Sequence, residues 1–170
     1  EISIGLVGVM AFWLGMMRIG EKSGFLSLLV RLLQPLFSRL FPAVPAGHPA
    51  MGSMLMNLSS NALGLDNAAT PLGLKAMKDL QILNPEPETA TDAQILFLVL
   101  NTSSVTLFPV TVFAFRAQQG AVNPADVFIP ILFATFISTL VGLLAVAVMQ
   151  KLRLWDRVVL GYLGGATLFV

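Results

Sequence analysis

The sequence predicts an all-α polytopic membrane protein. About three helices span the bilayer, re-entrant or broken helices lie between them, and one amphipathic helix lies in the interface. Three observations carry this. Charged residues make up 11% of the 170 residues, whereas soluble domains carry about a quarter, and mean hydropathy is +0.82. Residues 127–149 hold no charge, and about 23 residues make a helix of about 34 Å, enough to cross a bilayer. Two runs of asparagine, serine and threonine interrupt otherwise apolar segments, each beside a glycine or proline.

Taken in order, residues 2–17 form the first apolar stretch, of about 16 residues where about 20 are needed. Arg18, Glu21 and Lys22 close it, and Arg18 and Glu21 stand one turn apart as an interfacial ion pair. The start lacks the basic region and small-residue cleavage pattern of a signal peptide. In residues 24–41, leucine and phenylalanine alternate with Arg31, Gln34, Ser38 and Arg39 around Pro35, the pattern of an interfacial amphipathic helix. Residues 41–47 hold two prolines and a glycine and read as a turn.

Residues 49–63 read as a helix with two faces. Met51, Met54, Leu55, Leu58 and Ala62 share one side, and Ser53, Asn57, Ser60 and Asn61 the other. Gly64, Leu65 and Asp66 break it. The next helix is expected to begin at Thr70-Pro71, a cap residue before a first-turn proline, and to end near Ile82, too short to span. Residues 84–91 read as a loop with Glu86 and Glu88 in water. Thr91 and Gln94 have capping-box spacing, so a helix starts near Asp92. Residues 93–115 are long enough to cross, yet Asn101, Thr102, Ser103 and Ser104 occupy their middle and Pro109 follows. A proline frees the carbonyl four residues earlier, and a broken membrane helix is expected. Pro124 and Asp126 precede the 127–149 span, and Gln150, Lys151, Arg153, Trp155 and Arg157 follow it.

Basic residues after the first and last spans place those ends in the cytoplasm, which requires residues 49–82 to dip in and return. The plasma membrane is the expected location. The apolar run 158–170, about 13 residues, is too short to span. With the apolar start it reads as a single membrane domain, residues 1–170, cut at both ends.

Several classes fall away. A net charge of +1 and no cysteine leave no nucleic-acid footprint, disulfide or thiolate metal site. His48 alone does not make a metal site, and Met51, Met54 and Met56 read as packing. A serine nucleophile has no base beyond His48, no phosphate loop is present, and neither an enzyme nor a bound cofactor is expected. Lys75 and Lys78 read as snorkelling side chains.

What remains is a polar constellation: Asn57, Ser60, Asn61, Asp66, Asn67 and Thr70 at the first break, Asn101, Thr102, Ser103 and Ser104 at the second. Buried amides and hydroxyls cost several kcal/mol in hydrocarbon unless paired. They suit a small polar solute, an ion, or each other. Helices interrupted at depth expose backbone groups that transporters use for binding, whereas single asparagines and serines often join membrane helices. Asp66, ahead of a helix N-terminus, reads either as a cap or as a cation or proton site.

The run Asn57-Leu58-Ser59-Ser60-Asn61-Ala62-Leu63-Gly64-Leu65-Asp66-Asn67-Ala68-Ala69-Thr70-Pro71-Leu72-Gly73-Leu74-Lys75-Ala76-Met77 resembles the signature of the spore maturation protein A family. The stretch 101–109, with Arg116, Gly120 and Pro124, resembles that family's second characteristic segment. The likeness runs from Trp13 to about Trp155. It implies a Gate-like membrane fold of the nucleoside recognition grouping, which also takes in parts of concentrative nucleoside transporters and of the ferrous iron transporter B. In spore formers the A protein acts with a B protein in dehydrating the spore core, and longer relatives join A-like and B-like halves. The apolar tail after Arg157 fits the start of such a continuation. Asp66 departs from the glycine of spore-forming members, which points to the longer group. The resemblance implies a transport-related role in a bacterial inner membrane, with lipid and a homo-oligomer or B-like half as partners. It names no substrate.

Overall fold

The computed structural model describes Ala11, Ile19 and residues 25–45, 47–64, 66–103, 106–152 and 156–169. Seven helices are bounded among these residues, and no strand forms among them: α1 Phe25–Leu40, α2 Pro49–Ala62, α3 Asp66–Ile82, α4 Asp92–Thr102, α5 Val110–Gln118, α6 Phe128–Gln150 and α7 Arg157–Phe169. The expected first span, residues 2–17, lies outside the described residues except for Ala11, as do Arg18, Glu21 and Lys22.

α1 continues through Pro35 because one missing N–H removes only one helical bond. The freed turn is used locally, where Ser38 donates to the Pro35 carbonyl at 3.0 Å. Phe37 and Leu40 turn inward, and Phe37 stacks on Phe41 with ring centroids 5.4 Å apart. Arg31, Gln34, Ser38 and Arg39 stay exposed, as expected of an amphipathic helix. α2 starts by a cap of its own. His48 accepts from the Ala50 amide at 3.2 Å, with Pro49 in the first turn.

α2 and α3 form the tightest helix pair, an antiparallel hairpin across Gly64. The core lies where this hairpin meets α1, α4 and α6. Met51, Met54 and Leu55 pack with Phe41, Ala76, Leu80, Leu96, Phe97 and Val146. The two methionines are buried packing, as expected. Ser53, Asn57, Ser59 and Ser60 are buried too, so the polar side of α2 faces packed protein rather than water.

The 83–91 loop is tied by side chains. Thr91 and Gln94 form the capping box the sequence predicts. Buried Gln94 also donates to Gln81 at 2.7 Å, and Asn84 donates to the Thr89 carbonyl at 2.8 Å. Glu86 and Glu88 are exposed. α4 then packs along α6.

α6 is the one helix among the described residues long and apolar enough to cross a membrane. Only 22% of its most apolar stretch is buried. A core helix of a water-soluble protein would be covered, whereas here Ile129, Phe133, Ile137, Val141, Leu144 and Val148 form an exposed apolar stripe. Such a stripe suits lipid or a partner surface rather than water.

Two expectations need correction. The second helix of the hairpin starts at Asp66, four residues before Thr70, and Pro71 lies inside it. Pro71 costs α3 the bond to the Asn67 carbonyl, and burial against α2 offsets that loss. Lys75 does not simply snorkel, because it pairs with Asp79 at 2.6 Å. The tail 158–170 is helical over nearly its whole length as α7, which returns to α1. There the Tyr162 hydroxyl donates to the Leu32 carbonyl, and Asp156 pairs with Arg39.

Candidate functional site

The site grows out of two chain breaks. At the first, the Leu63 and Gly64 amides bond back to Ser59 and Asn61 carbonyls at 3.1 and 2.9 Å. Gly64 takes φ +71, a left-handed conformation that glycine adopts without Cβ strain. At the second, α4 ends after Thr102 and the chain restarts as α5 at Val110. This is the broken helix expected over residues 93–115.

The two breaks touch. The Leu107 amide donates to the Ala62 carbonyl at 2.8 Å. A Cβ on Gly64 would lie 2.2 Å from the Phe108 carbonyl oxygen, so only glycine permits this approach. The second break thereby satisfies an orphan carbonyl at the end of α2.

The side chains follow the backbone. Asn61 on α2 donates its amide to the Asn101 carbonyl oxygen on α4. Asn57, one turn earlier, donates to the Ala69 carbonyl of α3 at 2.7 Å. Gly73 on α3 faces both polar helices. A Cβ there would stand 3.0 Å from Asn57 Nδ2 and 3.6 Å from Asn101 Nδ2. Two carboxamides, one from each polar helix, thus face the bare side of one glycine, and Asn61 joins them through its bond to Asn101. Asn57 is 1% exposed, and its carbonyl oxygen has no hydrogen-bond partner, as is also true of the buried Ser59 hydroxyl.

Ser103 continues the polar path toward α6. Its hydroxyl returns to the Val99 carbonyl at 2.7 Å, and its carbonyl accepts from Thr139. Thr135, one turn away on α6, accepts from the Thr106 amide at 3.3 Å. Gly142 makes the contact close, since a Cβ there would lie 3.0 Å from Val99 and 3.2 Å from the Ser103 hydroxyl.

Not every expected residue joins. Thr102 points outward, and its hydroxyl bonds to the Leu98 carbonyl of its own helix at 2.5 Å. Thr70 is exposed and Ser60 is buried on α2. The side chains of Asp66 and Asn67, and all of Ser104, lie outside the described residues. The sequence reading missed Gly73, Gly142, Thr135 and Thr139. Threonines in a clean span look like back-bonded hydroxyls, and glycines there look like ordinary spacing.

One polar cluster stands apart, toward the 83–91 loop. Asp79 accepts from Ser53 and from Lys75, each at 2.6 Å, and Lys75 also reaches the Ser53 hydroxyl at 3.0 Å. The Lys75 hydrogen bond, then that from Ser53, holds the Asp79 carboxyl below its ordinary value. The Ser53 hydroxyl faces a carboxylate already paired with an ammonium, so no base is free to take its proton. The cluster clasps α2 to α3. Among the described residues no group of three His, Asp or Glu side chains is placed to hold a metal.

A family model described as Gate, nucleoside recognition, matches residues 3–119. Spore maturation protein A of Bacillus subtilis (strain 168) is 48% identical over 137 residues, 81% of this chain and 70% of that protein. No solved structure matches.

Proposed function

The chain belongs to the Gate, nucleoside recognition, family, and from that premise we propose that it is a multi-pass component of the bacterial plasma membrane that passes a small polar solute or ion between its two broken helices. The observation that carries this reading is the meeting of the two breaks, where Asn57 and Asn101 face Gly73 and Asn61 bonds to Asn101. Groups of this kind gather in an apolar interior around each other or around something polar. Here the gathered set keeps an acceptor to spare. Irregular backbone at depth serves the same end, because it lines a path that regular helices would close. Asp66, Asn67, Thr70 and Ser104 stand next to these breaks in the chain and complete the proposed lining; Thr102 is left out because it points away.

The test is uptake by the purified protein in liposomes, scanned across nucleosides, polyols, dicarboxylates and monovalent cations. Asn61→Leu and Asn101→Leu are expected to abolish whichever flux the native chain supports. Wild-type flux and stability in both variants would remove the polar cluster from the pathway.

A second reading has an observation of its own. Asn61 and Asn101 bond to each other, as residues that join helices do. On this reading the chain is an assembly protein that pairs with itself or with a spore maturation protein B-like partner, and the name of its Bacillus relative gives the context. Cysteines at 57 and 101 discriminate. If they link only to a partner helix and never react with water-soluble thiol reagents, the cluster is an interface.

A further inference from the structure

The Asn57 carboxamide has a fixed orientation. Its Nδ2 lies 2.7 Å from the Ala69 carbonyl, and turning the amide over would set two acceptors against each other. The end left over is therefore the oxygen, and it is buried without a donor. Buried acceptors are nearly always satisfied, and an unsatisfied one calls for an explanation.

Gly73 lies beside this amide for a steric reason. Its φ is not in the left-handed region, so its conformation does not require glycine, and glycine in a helix interior costs stability. What a side chain would do is press on Asn57 Nδ2 at 3.0 Å, Asn57 Cγ at 3.6 Å and Asn101 Nδ2 at 3.6 Å. The glycine lets α3 pack directly against the two amides.

We propose that the Asn57 carbonyl oxygen is the anchoring acceptor of this site and that the solute brings an N–H or O–H donor to it. The proposal rests on the pathway reading above. In it Asn57 is a binding residue, and Asn101, whose Nδ2 faces the same glycine, is its neighbour.

Matched solutes test this in proteoliposomes of the full chain. Acetamide and glycerol carry donors, whereas N,N-dimethylacetamide keeps the amide carbonyl and has none. Flux above protein-free vesicles is expected for the first two and not for the third. Asn57→Leu should lower it about tenfold, the weight of one neutral hydrogen bond. The comparison of solutes on the native chain needs no variant, so it holds even where Asn57→Leu disturbs the fold through its lost bond to Ala69. Dimethylacetamide carried as fast as acetamide, or native flux in Asn57→Leu, overturns the proposal. Flux of monovalent cations with none of the three solutes overturns it while leaving the pathway reading in place. No flux of anything takes down both.

Discussion

Gly64 offers the sharpest test that the two breaks meet. In Gly64→Ala the new residue must hold φ +71, which costs a non-glycine residue about 1–2 kcal/mol. Its Cβ must also occupy a position 2.2 Å from the Phe108 carbonyl oxygen, and a backbone atom cannot swing aside as a side chain can. Moving it disturbs the 2.8 Å bond from the Leu107 amide to the Ala62 carbonyl, worth about 1 kcal/mol, and overpacking adds about 1–3 kcal/mol. A total loss of about 3 kcal/mol or more is expected. Gly120→Ala supplies the control. Gly120 has φ +78, and a Cβ there meets nothing within 4 Å, so it should lose only the conformational part, about 1–2 kcal/mol. Equilibrium denaturation of both variants in detergent, followed by circular dichroism, reads the difference. Equal losses would mean that nothing stands against Gly64 and that the 103–109 break is elsewhere.

A double-mutant cycle on Asn61→Leu and Asn101→Leu should give a coupling of about 1 kcal/mol; additive losses would mean that the two amides do not bond. For Asp79, the lowered folded value makes its contribution complete above the ordinary carboxyl pKa of 3.8, and that contribution is lost as pH falls through the lower folded value. The melting-temperature gap between the native chain and Asp79→Asn should therefore narrow from about pH 6 to about pH 3, and a constant gap refutes the Lys75–Asp79–Ser53 clasp. Gly142→Val should cost about 1–3 kcal/mol in the same denaturation assay, because its Cβ would start 3.0 Å from Val99; a neutral result would separate α4 from α6.

Much of this was legible in local chemistry. The Thr91–Gln94 capping box, the break at Gly64 and the interruption after Thr102 are all written in residues that act on their own neighbours. The span 127–149 was equally plain, since unbroken apolar length needs no partner to be read. Pairing was not legible. The period of α2 placed Asn57 and Asn61 on one face, but no period says that α4 presents Asn101 to that face and turns Thr102 away. Nor does it say that Gly73 and Gly142 are bare because amides and a broken helix end press against them. The start of α3 was misread because Thr70-Pro71 carries a strong N-terminal signal, whereas the helix begins four residues upstream, where Asn57 of α2 holds the Ala69 carbonyl. Asp79 escaped notice because its meaning comes from Ser53, twenty-six residues away.

The chain has no cysteine, which permits a direct test of the site and its role together. Ala62→Cys and Leu107→Cys, whose backbones are bonded across the breaks at 2.8 Å, introduced as a pair and bridged in proteoliposomes by a short bis-methanethiosulfonate reagent, would lock the two breaks to each other. The expected result is efficient cross-linking, loss of the solute flux the unbridged pair supports, and recovery of that flux on reduction. A pair that does not cross-link, or that cross-links with its flux unchanged, would contradict a pathway between the two broken helices.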